Sequence, residues 1–359
     1  MKSFNVYYYY QRGREMKKTS RRDFLNDSLI LMGTSLFLPL AAPSKRMTSF
    51  TIEGQNEKSY PSYLRLEKSG ELSKRAEELR SIYENCRLCP RDCRVNRIKG
   101  ETGKCQGTSR VKVSGAQAHF GEEAPLVGRR GSGTIFFSNC GLRCVFCQNY
   151  KISIEGEGIE ISDQRLAETM IKVQNIGCHN INLVTPTHYL PNIISALQEA
   201  IPLGLRIPLV YNTSGYERLE ILQLLDGIVD IYLPDCKYMD PVQAARYSSE
   251  AFNYPYYAKI ALQEIFRQVG DLTVDNQGIA VKGLILRHLI LPNRIAGTQK
   301  FLKFVAENLS KTTYLNIMRQ YRPEYKAFEY PDIARRITRN EYEEALNWAE
   351  NYGLSRLDR

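Results

Sequence analysis

Ser138-Asn139-Cys140-Gly141-Leu142-Arg143-Cys144-Val145-Phe146-Cys147-Gln148-Asn149 is the stretch around which the chain is organised. Just upstream, Thr134-Ile135-Phe136-Phe137 forms a short apolar run behind Gly131, Ser132 and Gly133. A run of that length bounded by turn residues predicts a buried strand ending in a loop. The loop carries three thiols, spaced by three and then two residues. Thiolates are the usual protein ligands of iron–sulfur clusters, and this spacing lets three of them wrap one face of a cubane. A [4Fe–4S] cluster held by three thiolates keeps one iron open for chemistry. A zinc knuckle is the bland alternative. Structural zinc takes four protein ligands, however, and the next candidates, Cys178 and His179, lie on another segment.

Cys-x3-Cys-x2-Cys after a first strand resembles the radical S-adenosylmethionine (SAM) superfamily. The surrounding stretches resemble one branch of it, the uncharacterised homologues of pyruvate formate-lyase activating enzyme. They are His119-Phe120-Gly121-Glu122-Glu123, the block from Gly131 to Tyr150, Thr185-Pro186-Thr187-His188-Tyr189 and Tyr211-Asn212-Thr213-Ser214-Gly215-Tyr216. Further on come Tyr232-Leu233-Pro234-Asp235-Cys236-Lys237-Tyr238, Arg267-Gln268-Val269-Gly270 and Arg287-His288-Leu289. The likeness runs from about Cys86 to the end. It implies a [4Fe–4S] cluster on Cys140, Cys144 and Cys147, with SAM on the open iron and electrons from an external donor. It also implies reductive cleavage of SAM to a 5′-deoxyadenosyl radical that abstracts a hydrogen atom. A protein or peptide substrate, as for an activating enzyme, is the expected target, and modification of a small molecule is the alternative. From another class, a non-catalytic iron–sulfur or zinc protein for electron transfer or binding would also use clustered thiols, but it would not need several polar strand ends around one open cluster.

The segments downstream of the thiols alternate. Strand-like runs occupy Ile181 to Val184, Ile207 to Tyr211, Ile228 to Leu233, Gly283 to Leu291 and Tyr314 to Tyr321. Helical patterns lie between them: Gln164 to Gln174, Pro191 to Ala200, Tyr216 to Leu225, Pro241 to Tyr247, Ala258 to Gln268 and Thr298 to Leu309. Repeated strand–helix units predict an α/β fold with a parallel sheet. Six units fit the open (βα)6 partial TIM barrel that the resemblance implies, over residues 111–330. Glu341 to Tyr352 reads as a C-terminal helix with Trp348 on its buried side, within a helical segment over 331–359.

Parallel barrels present ligands at the carboxyl ends of their strands. Thr185 and Thr187 follow the second strand, where most of the superfamily has Gly-Gly-Glu. The departure makes their SAM contacts an expectation of position alone. Asn212 and Ser214 offer a small polar turn towards the nucleoside, although helix capping would use the same residue types. Asp235 and Lys237 suit ribose hydroxyls and a carboxylate, or could pair with each other at the rim. His288 is expected to point into the barrel; His188 could be packed or functional. Cys236 reads as packing.

Cys86, Cys89, Cys93 and Cys105 form a second cluster within the Cys-rich extension of residues 43–110. Two thiols two residues apart, a third soon after and a fourth beyond the Gly100 and Gly103 turns can close a four-thiolate site. Zinc or a second iron–sulfur cluster would satisfy it. Ahead of it, residues 43–70 read as a polar linker and Leu72 to Tyr83 as a helix. Val111 to Ala116 alternates like a strand.

The chain has 359 residues and a formal net charge of +10. Of that, +4 comes from residues 1–42, with seven Lys/Arg against three Asp/Glu. The rest is dispersed, with no aromatic-interleaved RNA-binding motif, so no nucleic-acid partner is expected. Residues 1–42 read as a leader in which Met16 is the natural start. Ser20-Arg21-Arg22-Asp23-Phe24-Leu25 resembles a twin-arginine signal for export to the periplasm, with an uncleaved leader on a cytoplasmic enzyme as the alternative. The apolar run from Leu29 to Ala42 is too short and interrupted for a stable membrane span.

Overall fold

The computed structural model describes residues 61–358. The leader, the Met16 start, the twin-arginine-like stretch and residues 43–60 of the expected linker lie outside the described residues.

Among the described residues nine strands form one sheet: β1 (Val111–His119), β2 (Ser132–Phe137), β3 (Ile159–Ile161), β4 (Ile181–Val184), β5 (Leu209–Thr213), β6 (Ile231–Pro234), β7 (Thr273–Val274), β8 (Ala280–Leu289) and β9 (Tyr314–Met318). The pairings β2–β4, β4–β5, β5–β6, β6–β8 and β8–β9 are all parallel. These six strands are the expected partial barrel. β1 extends the sheet antiparallel to β2 and carries β3 on its far side. At the other end the C-terminal tail covers β9, where the Leu315 amide donates to Arg356 O and the Asp358 amide to Leu315 O.

The helices are α1 (Tyr63–Ser69), α2 (Glu71–Ser81), α3 (Asp163–Asn175), α4 (Leu190–Ala200), α5 (Leu219–Leu224), α6 (Pro241–Tyr247), α7 (Tyr254–Val269), α8 (Thr298–Asn308) and α9 (Arg339–Asn351), besides single-turn helices at Ala124–Val127 and Tyr150–Ser153. Local chemistry sets several starts. Ser162 accepts the Arg165 amide at α3, and Asp240 accepts the amides of Val242 and Gln243 at α6 behind Pro241. Thr338 and Glu341 form a reciprocal capping box at α9.

The pleat sorts side chains between two environments, because successive residues of a strand face opposite ways. Ile135, Phe137, Ile181, Leu183, Leu209, Tyr211, Tyr232, Leu284, Leu286, Leu315 and Ile317 belong to one large core between sheet and helices. Val210, Ile231, Leu233 and Ile285 alternate with them and meet Leu126, Leu272 and Ala280 in a second, smaller core. Burying each such side chain is worth about 1.5–3 kcal/mol.

Several boundaries differ from the sequence expectation. The linker is shorter than residues 43–70, since α1 is helical and buries Tyr63 completely. Ser62 donates its amide to the buried Asp230 carboxylate at 2.7 Å, a partner 168 residues away that local pattern cannot reveal. β5 starts at Leu209 rather than Ile207 and runs through Asn212 and Thr213. Pro208 before it has no amide to give a ladder. α5 begins at Leu219, not Tyr216, because Tyr216 and Glu217 are buried in the preceding turn. α7 begins four residues ahead of Ala258, with Pro255 in its first turn. In α9, Ala345 and Ala349 are the buried residues; Trp348 is half-buried beneath the Arg294 guanidinium.

Candidate active site

Cys140, Cys144 and Cys147 leave the end of β2 and line one pocket of about 360 Å³ at the carboxyl ends of the parallel strands. Asn139 and Arg143 take positive φ values of 75° and 53°, which bends the loop back over the barrel. It is pinned from several sides: Val145 donates to Tyr247 O at 2.9 Å, and Lys326 donates to Val145 O at 3.0 Å. Phe146 meets the rings of Tyr238 and Tyr321 edge-on.

Each thiol has a polar neighbour. The Leu142 amide donates to Cys140 Sγ at 3.4 Å, and Ser248 Oγ donates to Cys144 Sγ at 3.0 Å. Ser153 Oγ lies 3.0 Å from Cys147 Sγ. Burial pushes the Cys144 thiol up to about 12 and raises that of Cys147, opposed in part by these hydroxyls. Iron binding must therefore drive their deprotonation. Three soft donors from one loop fit a [4Fe–4S] cluster with an open iron, because the carboxylates Asp235 and Glu122 of the same pocket are already paired.

That pairing crosses three strands. Asp235 accepts from Lys237 Nζ at 2.7 Å and from Arg287 Nε at 2.8 Å. Arg287 also donates to Asn212 Oδ1 at 2.6 Å and to Glu122 Oε2 at 3.2 Å. Burial opposes charge on Asp235, but Arg287 and Lys237 outweigh it and hold the carboxyl below its usual range. Arg287 and Glu122 were not singled out in the sequence. The available signal was an Arg at the same pleat phase as the strand ends and an acidic residue in the His119–Glu123 stretch.

Thr185, Asn212, Ser214, Asp235 and Lys237 all line the pocket. Gly215 permits this crowding: its φ is +73°, and a Cβ there would lie 2.4 Å from Asp235 O. Thr187 turns away and donates to Glu217 Oε1 at 2.6 Å, joined by Thr213 Oγ1. Burial pushes Glu217 up to about 7 against those hydroxyl bonds. The expectation that His288 points into the barrel does not hold. It follows Arg287 by one residue, so it faces the helices, stacks on Phe301 and bonds Cys236 O at 2.7 Å and Thr298 Oγ1 at 3.0 Å. His188 is buried, with Nε2 2.7 Å from Ser138 O, and burial pushes it down to about 3. Cys236 is fully buried, its thiol 3.8 Å from the Met239 sulfur.

Cys86, Cys89, Cys93 and Cys105 line one small space with Arg97 and His188. Burial raises the Cys89 and Cys105 thiols. The segment is fastened to the three-thiol loop: Arg91 donates to the carbonyls of Gly141 and Leu142 on one side and of Ser248 and Ser249 on the other. Among the described residues no three His, Cys, Asp or Glu side chains converge on the position of a single metal ion.

A six-stranded parallel partial barrel with three thiols on the loop after its first parallel strand, and a polar pocket beside them, defines a class of cluster-dependent enzymes. Residues 134–243 match the family model for the radical SAM superfamily. The chain is also 37% identical over 296 residues to an uncharacterised protein of Methanocaldococcus jannaschii, an alignment covering 79% of each chain. This chain belongs to the radical SAM superfamily. It is an enzyme of the kind that cleaves SAM reductively to generate a radical, using a [4Fe–4S] cluster and an electron donor. Among the described residues no helix is long and apolar enough to cross a membrane.

Proposed function

We propose that this enzyme takes a hydrogen atom from a protein or peptide, in the manner of an activating enzyme, with SAM seated beside a cluster on Cys140, Cys144 and Cys147. One observation carries the preference for a polypeptide. The thiol pocket shares Glu122 and Gln320 with a neighbouring cleft of about 1030 Å³. A strand of polypeptide needs such an open approach, whereas a small substrate is better served by enclosure.

The bound cluster and SAM supply the radical chemistry. The chain's residues position and enclose. Asp235 and Lys237 would contact ribose hydroxyls and a carboxylate of SAM, Asn212 and Ser214 would approach the nucleoside, and Thr185 would meet SAM by its position after the second parallel strand. Arg287 holds Asp235 ionised. Thr187 and His288 act through packing and through Glu217 and Thr298. Cys86, Cys89, Cys93 and Cys105 hold a second metal centre. Zinc would make it a structural clamp on the cluster loop, and iron with sulfide would make it a relay to the first cluster.

The test is anaerobic reconstitution followed by reductive SAM cleavage in the presence of extract from deuterium-grown cells. Deuterium should enter 5′-deoxyadenosine with the macromolecular fraction. Transfer confined to the small-molecule fraction would favour the small-molecule reading, and no cleavage at all would sink both. Metal analysis of protein lacking Cys140, Cys144 and Cys147 separates zinc from iron at the second centre.

A further inference from the structure

The cleft beside the thiol pocket is bounded by the loop Gly121–Glu123, the end of β9 and α9 with the tail after it. Its charged lining is unbalanced. Among the described residues Glu122, Glu123, Glu350 and Asp358 face it, against Arg319. Glu122 is offset by Arg287, Asp358 accepts from the Tyr314 hydroxyl at 2.6 Å, and Arg319 lies over the Tyr342 ring rather than on a carboxylate.

Glu123 is the residue that this arrangement does not explain. It is 4% exposed, yet it lines the cleft. Oε1 accepts from Asn316 Nδ2 at 2.9 Å, while Oε2 has no hydrogen-bond partner among the described residues. A buried carboxylate oxygen without a donor carries an uncompensated desolvation cost, which a donor from outside would offset by meeting it. Arg287 is too committed to supply it: it already serves Asp235, Glu122 and Asn212. Among Asp235, Glu122, Glu123, Arg287 and Lys237 the carboxylates outnumber the cations by one, and the ion pairs leave Glu123 without a cation. Burial raises the Glu123 carboxyl above its usual range, with Arg287 and Asn316 pulling the other way. A cation at Oε2 is what would favour its ionised form.

We propose that this cleft is the substrate-binding groove and that Glu123, with Glu350 at the rim, recognises an ammonium or guanidinium group of the substrate. The inference rests on the reading of the thiol pocket as the site of SAM chemistry, and it adds the charge and the docking point of what is modified. Held at Glu123, a cationic group would place the neighbouring part of its molecule at the mouth shared through Glu122 and Gln320. The cation can come from an Arg or Lys side chain of a polypeptide or from a free amine, and the two sources offer the same chemistry to Oε2.

The experiment is calorimetric titration of the reconstituted enzyme with SAM present. The probes are acetyl-Gly-Arg-Gly-amide, the same peptide with citrulline for arginine, and agmatine. The arginine peptide should bind at least tenfold more tightly than the citrulline peptide. Glu123→Gln, which keeps the acceptor for Asn316, should weaken its binding about tenfold, and Glu350→Lys on the exposed rim several-fold. Agmatine binding as well as the peptide assigns the cation to a free amine; a clear peptide advantage assigns it to a polypeptide. Both results support the groove. Equal binding of arginine and citrulline peptides, unchanged affinity in both variants, or no binding of any cationic probe overturns it. Should Glu123→Gln fail to fold, Glu350→Lys alone decides. Wild-type SAM cleavage in the same samples reports separately on the underlying reading: cleavage without cation recognition removes only the groove.

Discussion

Arg287 Nε lies 2.8 Å from Asp235 Oδ1, joining the ends of β6 and β8 inside the barrel mouth. The guanidinium reaches Glu122 and Asn212 as well, so one side chain orders three others around the pocket. Removing one partner of a buried ion pair costs about 3–5 kcal/mol, because the other charge is stranded. Arg287→Ala should therefore destabilise the fold by roughly that amount in anaerobic denaturant titrations. Asp235→Asn keeps shape and one acceptor, so it should weaken SAM binding about tenfold, the worth of about 1.4 kcal/mol, with a smaller loss of stability. If Asp235→Asn bound SAM normally, the pair would be structural only.

The three thiols act together. Replacing Cys140, Cys144 and Cys147 by Ala should remove about four irons per chain and abolish reductive formation of 5′-deoxyadenosine. Ser248 offers a finer probe, since its hydroxyl donates to Cys144 Sγ at 3.0 Å. Hydrogen bonds to cluster sulfurs help to set the reduction potential. Ser248→Ala should leave the iron content unchanged and shift the potential negative, which a redox titration followed by paramagnetic resonance would detect.

Glu217 makes stability depend on pH in a definite direction. Burial raises its carboxyl from 4.5 to about 7, so between those values the folded chain holds a proton that the unfolded chain has released. Its contribution is complete below pH 4.5 and is lost as pH rises through about 7. The amount at stake is on the order of 3 kcal/mol. Wild-type stability should decline from pH 5.5 towards 7 relative to Glu217→Gln, and the two should run parallel above about pH 8. Parallel curves throughout would show that Glu217 does not titrate in this range.

Gly215 is predicted to tolerate no side chain. Its φ of +73° costs an L-residue about 1–2 kcal/mol, and the 2.4 Å approach of a Cβ to Asp235 O adds a backbone clash. Gly215→Ala should lose more than about 2 kcal/mol of stability and weaken SAM binding with it. A variant with wild-type melting would mean that the turn relaxes freely.

By itself the sequence determined the features that arise within short windows. The spacing of Cys140, Cys144 and Cys147, the apolar run ahead of it and the alternation of strand-like and helical patterns all lie within a few residues of one another. They were enough to predict a parallel α/β sheet, which the resemblance to the radical SAM superfamily turns into a partial barrel, and to put Asn212, Ser214, Asp235 and Lys237 at strand ends, where the structure has them lining the pocket. Contacts across the chain were decided only by the tertiary structure. Asp235 and Arg287 are 52 residues apart, and Glu122 and Arg287 are 165 apart; no local pattern encodes such partners. The pleat was equally decisive. Arg287 and His288 are neighbours of similar polarity, yet strand pairing sends one into the pocket and the other onto Phe301. A strand repeats every two residues, so one step in register exchanges its two faces, and that choice is made by the strands on either side.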